Sequence, residues 1–445
     1  MTINDDLKRV ELDGYTLKYI ENQTPELCLE AVKQDGRALE FVKEQTKEIC
    51  LEAVKQNVLA FLWVEHQTPE ICLAVVKQEG VYLEHVQNKT SKLCLAAVKQ
   101  DGLALEYVEN QTEEICLAAI KQNVNALKYV KEQTLELCLN AVQQNGEALQ
   151  WVKEQTLELC MEAVKQNGVA LQYVQEQTLE ICEKAIKQNI KALKYVKNQT
   201  PELCLMAVQH NGLALEYVKN QTTEICMEAI KHNFWAFHYV KEQTLEVCLE
   251  AVKRKYLCLN DVKNKTYEIC MTAVQEDGRA LQYVEEQNLK MCLEAVKQNG
   301  WALKHAKYKT PQICMEAVQN YGRALEFVDI KTLDICLEAV KQDGRALKFV
   351  EDQTLEICME AVQNYGCALE FVDIKTLDIC LEAVKQDGCA LKFVENQTLE
   401  ICMAAVKQNG LALEYVKEQT AEICKAAIQE NKKALEFVKN LAFLN

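Results

Sequence analysis

The sequence predicts an all-α protein, an αα-hairpin solenoid (superhelix) of about twenty 22-residue repeats. Three observations support this prediction. A segment such as "QTPELCLEAVKQDGRALEFVKE" (23–44) recurs with small changes along the 445 residues. Each copy carries a helix start signal and, twelve residues later, a helix stop signal. The apolar residues between these signals follow a helical period.

The start signal is a threonine. Twenty copies fit between residues 2 and 441, and their first position is Thr in nineteen and Asn288 in the other. Both side chains accept a hydrogen bond from the first turn of a helix. Proline is favoured directly after such a residue, and all four prolines lie there: Pro25, Pro69, Pro201 and Pro311. A first helix therefore begins after each of these residues.

The stop signal is a glycine, usually preceded by Asn or Asp. All fourteen glycines lie twelve residues after the Thr position, which predicts a left-handed residue that ends the first helix. The pairs "DG" and "NG" are also typical of β-hairpin turns. The flanking apolar residues do not alternate, so the helix end is the preferred interpretation.

Both predicted helices have an apolar face. In the second copy these faces comprise Leu27, Cys28, Leu29, Ala31 and Val32, then Ala38, Leu39, Phe41 and Val42. Aromatic residues recur at the position of Phe41 and are predicted to be core, as at Tyr19, Trp63, Tyr107, Trp151, Tyr195, Tyr415 and Phe437. One pair of short helices buries too little to fold alone, so neighbouring repeats must stack.

The predicted organisation has three parts. Residues 1–23 form an N-terminal polar capping repeat, since Asp5 and Asp6 replace the apolar-Cys pair of later copies. Residues 24–419 form the helical-repeat solenoid. Residues 420–445 form a C-terminal capping repeat, in which Leu441 and Phe443 are expected to cover the last helices.

Charge and hydropathy favour an intracellular, cytoplasmic protein. The net charge of −16 opposes nucleic-acid binding, including a code of one base per repeat. The start of the sequence has no signal-peptide pattern, and no apolar run is long enough to span a bilayer, so no membrane association is predicted.

Nineteen of the 22 cysteines lie at one repeat position, from Cys28 to Cys424 in steps of 22. Equivalent positions in stacked repeats are too far apart for disulfides, and no copy supplies the further ligands that zinc needs. We interpret this cysteine ladder as small buried side chains in a reducing compartment. No metal, cofactor or catalytic residues are predicted, so the protein is not expected to be an enzyme.

Two features indicate where a partner would bind. Residues 315–358 and 359–402 differ at only three places, two of them Arg323 and Arg345, which become Cys367 and Cys389. This duplication favours function through an extended surface. The position after the glycine varies most between copies and is expected to be exposed. The candidate partner-binding residues are Trp235, Trp301, Tyr256, His238, Arg279, Arg323 and Arg345.

The stretch 232–261 is the least regular, with Phe234 and Tyr256 at the glycine position. Losing two glycines in succession predicts an altered turn between the helices, and with it a local kink or an altered curvature. The alternative is a binding hot spot around Trp235 and Tyr256.

The repeats "TPEICLAVVKQEG" (68–80) and "TLEICMAAVKQNGLALEYVKEQ" (398–419) resemble the short helical repeats of domain of unknown function 4116. The resemblance runs over essentially the whole chain. It implies an αα-repeat protein in a giant-virus or host-interacting setting, since such repeats are common in large DNA viruses and amoeba-dwelling bacteria. It implies no catalytic residues.

Two functions are consistent with these observations. The first is a non-enzymatic scaffold whose curved acidic surface engages another protein, in the cytoplasm, in a host cytoplasm or in a virion. The second is a structural or self-assembling component, for example of a virion, without a stoichiometric partner.

Overall fold

The computed structural model describes residues 3–440 and residue 442. Thr2, Leu441 and Phe443, for which the sequence predicts a helix cap and a terminal cover, lie outside the described residues. The chain divides into two compact units, residues 1–220 and residues 221–445. Each unit is a stack of helix pairs with a 22-residue period, which confirms the αα-hairpin solenoid.

Every repeat begins with a ten-residue α-helix. In the first unit these are α1 (Ile3–Leu12), α2 (Pro25–Gln34), α3 (Lys47–Gln56), α4 (Pro69–Gln78), α5 (Ser91–Gln100), α6 (Glu113–Gln122), α7 (Leu135–Gln144), α8 (Leu157–Gln166), α9 (Leu179–Gln188) and α10 (Pro201–His210). In the second they are α11 (Thr223–His232), α12 (Leu245–Arg254), α13 (Tyr267–Glu276), α14 (Leu289–Gln298), α15 (Pro311–Asn320), α16 (Leu333–Gln342), α17 (Leu355–Asn364), α18 (Leu377–Gln386), α19 (Leu399–Gln408) and α20 (Ala421–Glu430).

The second helix of each repeat is a six-residue 3-10 helix, shorter and tighter than the α-helix that the sequence predicts. In the first unit these helices are Gly14–Tyr19, Gly36–Phe41, Val58–Trp63, Gly80–His85, Gly102–Tyr107, Val124–Tyr129, Gly146–Trp151, Gly168–Tyr173, Ile190–Tyr195 and Gly212–Tyr217. In the second they are Phe234–Tyr239, Tyr256–Asp261, Gly278–Tyr283, Gly300–His305, Gly322–Phe327, Gly344–Phe349, Gly366–Phe371, Gly388–Phe393, Gly410–Tyr415 and Lys432–Phe437.

The predicted start of the first helix is confirmed. The Thr24 hydroxyl accepts a hydrogen bond from the backbone N–H of Leu27 at 3.4 Å. Asn288 accepts the equivalent bond from Met291 at 2.9 Å. The four prolines occupy the first turn of α2, α4, α10 and α15.

The predicted left-handed helix end is wrong. No described residue has a positive φ, and Asp35, between α2 and its 3-10 helix, is extended, with φ −144° and ψ 113°. Its carboxylate accepts a hydrogen bond from the backbone N–H of Arg37 at 3.0 Å. Asn or Asp therefore precedes the glycine because it caps the 3-10 helix.

Glycine is required by a close approach between repeats. A Cβ atom on Gly36 would collide with the backbone carbonyl oxygen of Ala53 in the next repeat. The backbone N–H of Gly36 donates to Gln56 Oε1 at 2.6 Å, and Gln56 Nε2 donates to the carbonyl of Gln34 at 3.3 Å. Gln56, the last residue of α3, thus bonds both to the end of α2 and to the start of the 3-10 helix that follows α2.

Non-glycine residues at this position loosen the junction with the next repeat and leave the turn unchanged. Asn233 and Lys255, which precede Phe234 and Tyr256, have the same extended conformation as their counterparts. The next α-helix lies less close to the 3-10 helices that begin at Val58, Val124, Ile190, Phe234 and Tyr256. The altered turn predicted for 232–261 is therefore wrong, and the irregularity lies between repeats.

A glutamine ladder bridges successive 3-10 helices. Gln45 Nε2 donates to the carbonyl of Trp63 in the next repeat at 2.8 Å, and its Oε1 accepts from the backbone N–H of Glu65 at 3.0 Å. These bonds satisfy polar groups at the end of the 3-10 helix. They also hold successive 3-10 helices in register, and these helices carry the candidate binding residues.

The cysteine ladder lies against this glutamine ladder. Cys50 is buried, as predicted, and its Sγ lies 3.6 Å from Gln45 Oε1, which accepts the thiol hydrogen. A small apolar side chain with a weak donor suits this place better than Ala, because it also satisfies the amide oxygen. Burial, assisted by the charge of Glu65, raises the pKa of Cys50 to about 11.

We expect the ladder thiols to resist Ellman's reagent at about pH 8, because the buried thiol stays neutral and the thiolate is the nucleophile. Cys389, which is only half-buried, should react first, and Cys389→Arg, the residue of the sister repeat, should remove that fast phase.

Since burial raises the folded-state pKa of Cys50 from 9.0 to about 11, its contribution to stability is present below pH 9 and is lost as the pH rises toward 11. Ladder thiols that react fully in the folded protein would contradict this account.

Candidate functional site

Most of the aromatic residues predicted to be core are half-buried on the 3-10 helices, and Tyr19 is exposed, with 76% of its surface accessible. Phe41 is half-buried, whereas Leu39 is fully buried. A 3-10 helix has three residues per turn, so residues i and i+3 share a face. Gly36, Leu39 and Val42 thus share one buried face, and Phe41 lies on the adjacent face, beyond Ala38, where Ala38 is buried and the larger Phe41 is half-buried. The prediction of a core position assumed the α-helical period.

This aromatic row meets the variable row, which is formed by the residues that directly follow the glycine position. Tyr15 packs edge-on against Phe41 of the next repeat, with ring centroids 5.6 Å apart. Trp151 Nε1 donates to Asn125 Oδ1 of the preceding repeat at 3.3 Å. The two rows therefore form one continuous surface within each unit. A three-residue period of buried positions in "GRALEF" is the sequence signal that could have revealed this surface.

Trp235 is the most exposed tryptophan of the variable row, with 53% of its surface accessible. Its ring stacks on His238 at 5.6 Å and 12° and also contacts Phe234 at 4.9 Å. These residues line a shallow cavity of about 350 Å³, together with Leu257, Asp261 and Tyr283. An exposed aromatic stack beside an apolar recess is suited to receiving an apolar side chain.

Tyr256 and Arg279 adjoin this cavity. Tyr256 lies 6.5 Å from Tyr283, and the Arg279 guanidinium lies over the Tyr256 ring at 5.0 Å. Arg279 also forms an ion pair with Asp277 at 2.7 Å. Burial alone would raise the pKa of Asp277, but hydrogen bonds from Arg279 outweigh it and lower that pKa. The structure thus joins Trp235, His238, Tyr256 and Arg279 in one cluster, the first cluster.

The remaining candidates, Trp301, Arg323 and Arg345, occupy the variable row on three consecutive repeats and are called the second cluster. Trp301 is 39% exposed, and its ring packs edge-on against Phe327 at 5.0 Å. The Arg345 guanidinium lies over the ring of Tyr365 at 4.6 Å. Trp235 and Arg279 of the first cluster lie on the same row, within residues 221–445.

In the part of the chain that the structure describes, no three His, Cys, Asp or Glu side chains converge as metal ligands would. None of the described helices has the length and apolar character needed to cross a bilayer. The two clusters offer aromatic contact, cation–π contact and hydrogen bonding by guanidinium groups, and in the first cluster His238 Nδ1 also lies 3.7 Å from Asp261 Oδ2.

Comparison with protein families finds one matching model, described as "Domain of unknown function (DUF4116)". It matches thirteen segments: 24–66, 90–135, 112–156, 134–179, 156–199, 200–245, 266–310, 288–333, 310–355, 332–377, 354–399, 376–421 and 398–441. Most matches span two repeats, so the unit that the model recognises is a stacked pair. A comparison with curated proteins finds no match.

Proposed function

This chain belongs to the DUF4116 family, whose function is unknown, and we propose that it is a non-enzymatic scaffold that binds another protein. The observation that carries the proposal is the exposed stack of Trp235 on His238 beside an apolar cavity. Tryptophan, tyrosine and arginine dominate binding energy in protein interfaces. The first cluster contains all three residue types.

The repeat architecture supports this proposal. Each repeat presents its variable-row side chain on the same frame of buried Ala, Leu and Val residues, as in Ala280, Leu281 and Val284. Side chains of the variable row can therefore change from copy to copy while the core stays constant. A surface with a constant frame and variable contacts is typical of repeat proteins that bind other proteins.

The test is affinity capture with the full chain, followed by titration of the purified captured protein. We expect Trp235→Ala to raise the Kd about tenfold, because it removes the ring that walls the cavity. The matched control is Leu399→Ala, since Leu399 is equally exposed, at 53%, but lies at the start of α19 and away from both rows.

An unchanged Kd after replacing both Trp235 and Trp301 would reject the proposed surface. Light scattering over a dilution series distinguishes the rival function. Concentration-dependent assembly of the purified chain, without a stoichiometric partner, would favour the structural component instead.

A further inference from the structure

Two arginines of the second cluster lack the ion pairs that other arginines form. Arg37 and Arg279 each pair with the Asp that caps their own 3-10 helix, at 2.8 and 2.7 Å. Arg323 has Tyr321 at that cap position. Asp343, the cap of the next helix, accepts from the backbone N–H of Arg345 at 3.0 Å. Among the described residues, neither guanidinium has a carboxylate within 4.0 Å.

Arg323 is also left with an unused donor. Its Nε atom is buried and has no hydrogen-bond partner in the described part of the chain. A buried donor without an acceptor destabilises a protein, so a rotation of the half-exposed Arg323 side chain that brings Nε to an acceptor on a ligand would be favoured. The planar guanidinium fork matches a carboxylate in geometry as well as in charge.

The 3-10 helices that carry these arginines and Trp301 are rich in cationic and aromatic side chains. Lys304 Nζ lies 5.7 Å from the ring centroid of Trp301, and Lys348 Nζ lies 4.5 Å from that of Phe349. The 3-10 helices Gly300–His305, Gly322–Phe327 and Gly344–Phe349 therefore carry four Lys or Arg side chains against a single carboxylate, Glu326. This local excess occurs in a chain of net charge −16.

We propose that the second cluster binds an acidic, extended segment of a partner protein, with carboxylates on Arg323 and Arg345 and an aromatic or aliphatic side chain against Trp301. This inference rests on the proposed scaffold function and names the chemistry of its partner. Stacked helices are roughly 8 to 10 Å apart, and a polyproline II segment rises about 3.1 Å per residue. The two carboxylates are therefore expected about three residues apart.

The duplicated repeats provide a matched variant. Cys367 and Cys389 occupy the positions of Arg323 and Arg345 in nearly identical repeats. Cys367 Sγ donates to Asp387 Oδ2 at 3.3 Å, and Asn409 Nδ2 donates to Cys389 Sγ at 3.4 Å. The fold thus accommodates both cysteines, so Arg323→Cys/Arg345→Cys removes the charges while retaining the repeat structure.

The experiment selects short random peptides displayed on phage against the full chain, and measures the selected peptides by fluorescence anisotropy. We expect selected peptides to carry Asp or Glu at positions i and i+3, and the double variant to weaken their binding by about tenfold or more. Leu399→Ala, at an exposed residue away from both rows, should leave peptide affinity unchanged. Circular dichroism of the double variant checks that its helices are intact.

Three results would overturn the inference: selection of no peptide, selected peptides without acidic enrichment, or equal binding by the double variant. Tighter binding of single-stranded oligothymidine than of the acidic peptides would overturn it as well, since it would identify a nucleic-acid surface. The proposed function is judged separately. A captured partner that depends on Trp235 but not on Arg323 and Arg345 would leave the scaffold standing and remove only this site.

Discussion

Replacing Gln353 with alanine is expected to lower the local free energy of unfolding by about 2 kcal/mol, because the two backbone groups and the thiol that it bridges lose their partner. Gln353 Nε2 donates to the carbonyl of Phe371 at 2.8 Å. Its Oε1 accepts from the backbone N–H of Asp373 at 3.0 Å and from Cys358 Sγ at 3.5 Å. One side chain thus satisfies three groups across two repeats.

Hydrogen exchange followed by mass spectrometry measures this effect. The amide of Asp373 should exchange roughly thirtyfold faster in the alanine variant, since exchange of a protected amide follows its local opening free energy. Local measurement is needed because a repeat array does not unfold as a single two-state unit.

Gln353→Lys is the matched control. The chain itself carries Lys at the equivalent position 309, where Lys309 Nζ pairs with Asp329 Oδ1 at 3.1 Å. A lysine at position 353 would face Asp373 in the same way. Gln353→Lys should therefore lower the local free energy of unfolding by less than Gln353→Ala does. An alanine variant that exchanges like the wild type, or a lysine variant that is equally damaged, would show that the bridge contributes little.

Replacing Gly146 with alanine is expected to destabilise the junction between two repeats by about 2 to 3 kcal/mol, as overpacking does. The added Cβ would collide with the backbone carbonyl oxygen of Ala163. Separation of the helices would also break the hydrogen bond from the Gly146 N–H to Gln166 Oε1, which is 2.7 Å long. A backbone oxygen within a helix cannot rotate away as a side chain can.

Whether stability falls or rises in Gly146→Ala is informative. Replacing a glycine of negative φ by alanine normally stabilises a protein by about 0.4 to 1 kcal/mol. Gly146 does not have a positive φ, so conformational entropy favours the substitution and only the close approach opposes it. Urea denaturation and the exchange of α8 amides would measure the balance. Increased stability would refute the close approach as the reason for glycine.

Val124→Ala provides the comparison for this prediction. Val124 occupies the same repeat position, where the next α-helix already lies farther away. Alanine there removes methyl groups from a half-buried side chain and should change stability by less than about 1 kcal/mol.

The sequence suggested the candidate residues but did not indicate how they are arranged in space. The variability of one position identified Trp235, Trp301 and the arginines, and the structure places all of them on one row of 3-10 helices. The half-exposed aromatic row beside them was missed, because the second helix was treated as an α-helix. The pairing of Gln23 with Cys28, at 3.8 Å, was also missed, since only folded geometry brings these groups together.

The amino-acid sequence alone determined the structural features that lie within one repeat. Thr24, Pro25 and the apolar spacing of α2 are local signals, and local hydrogen bonds and helical periodicity act over a few residues. The role of Gly36 could not be read in this way, because the atom that excludes a side chain there is the carbonyl oxygen of Ala53. The exposure of Phe41 likewise depends on the 3-10 geometry, which places it on the face adjacent to that of Gly36, Leu39 and Val42. Contacts with the neighbouring repeat therefore established which side chains form the core and which form the surface.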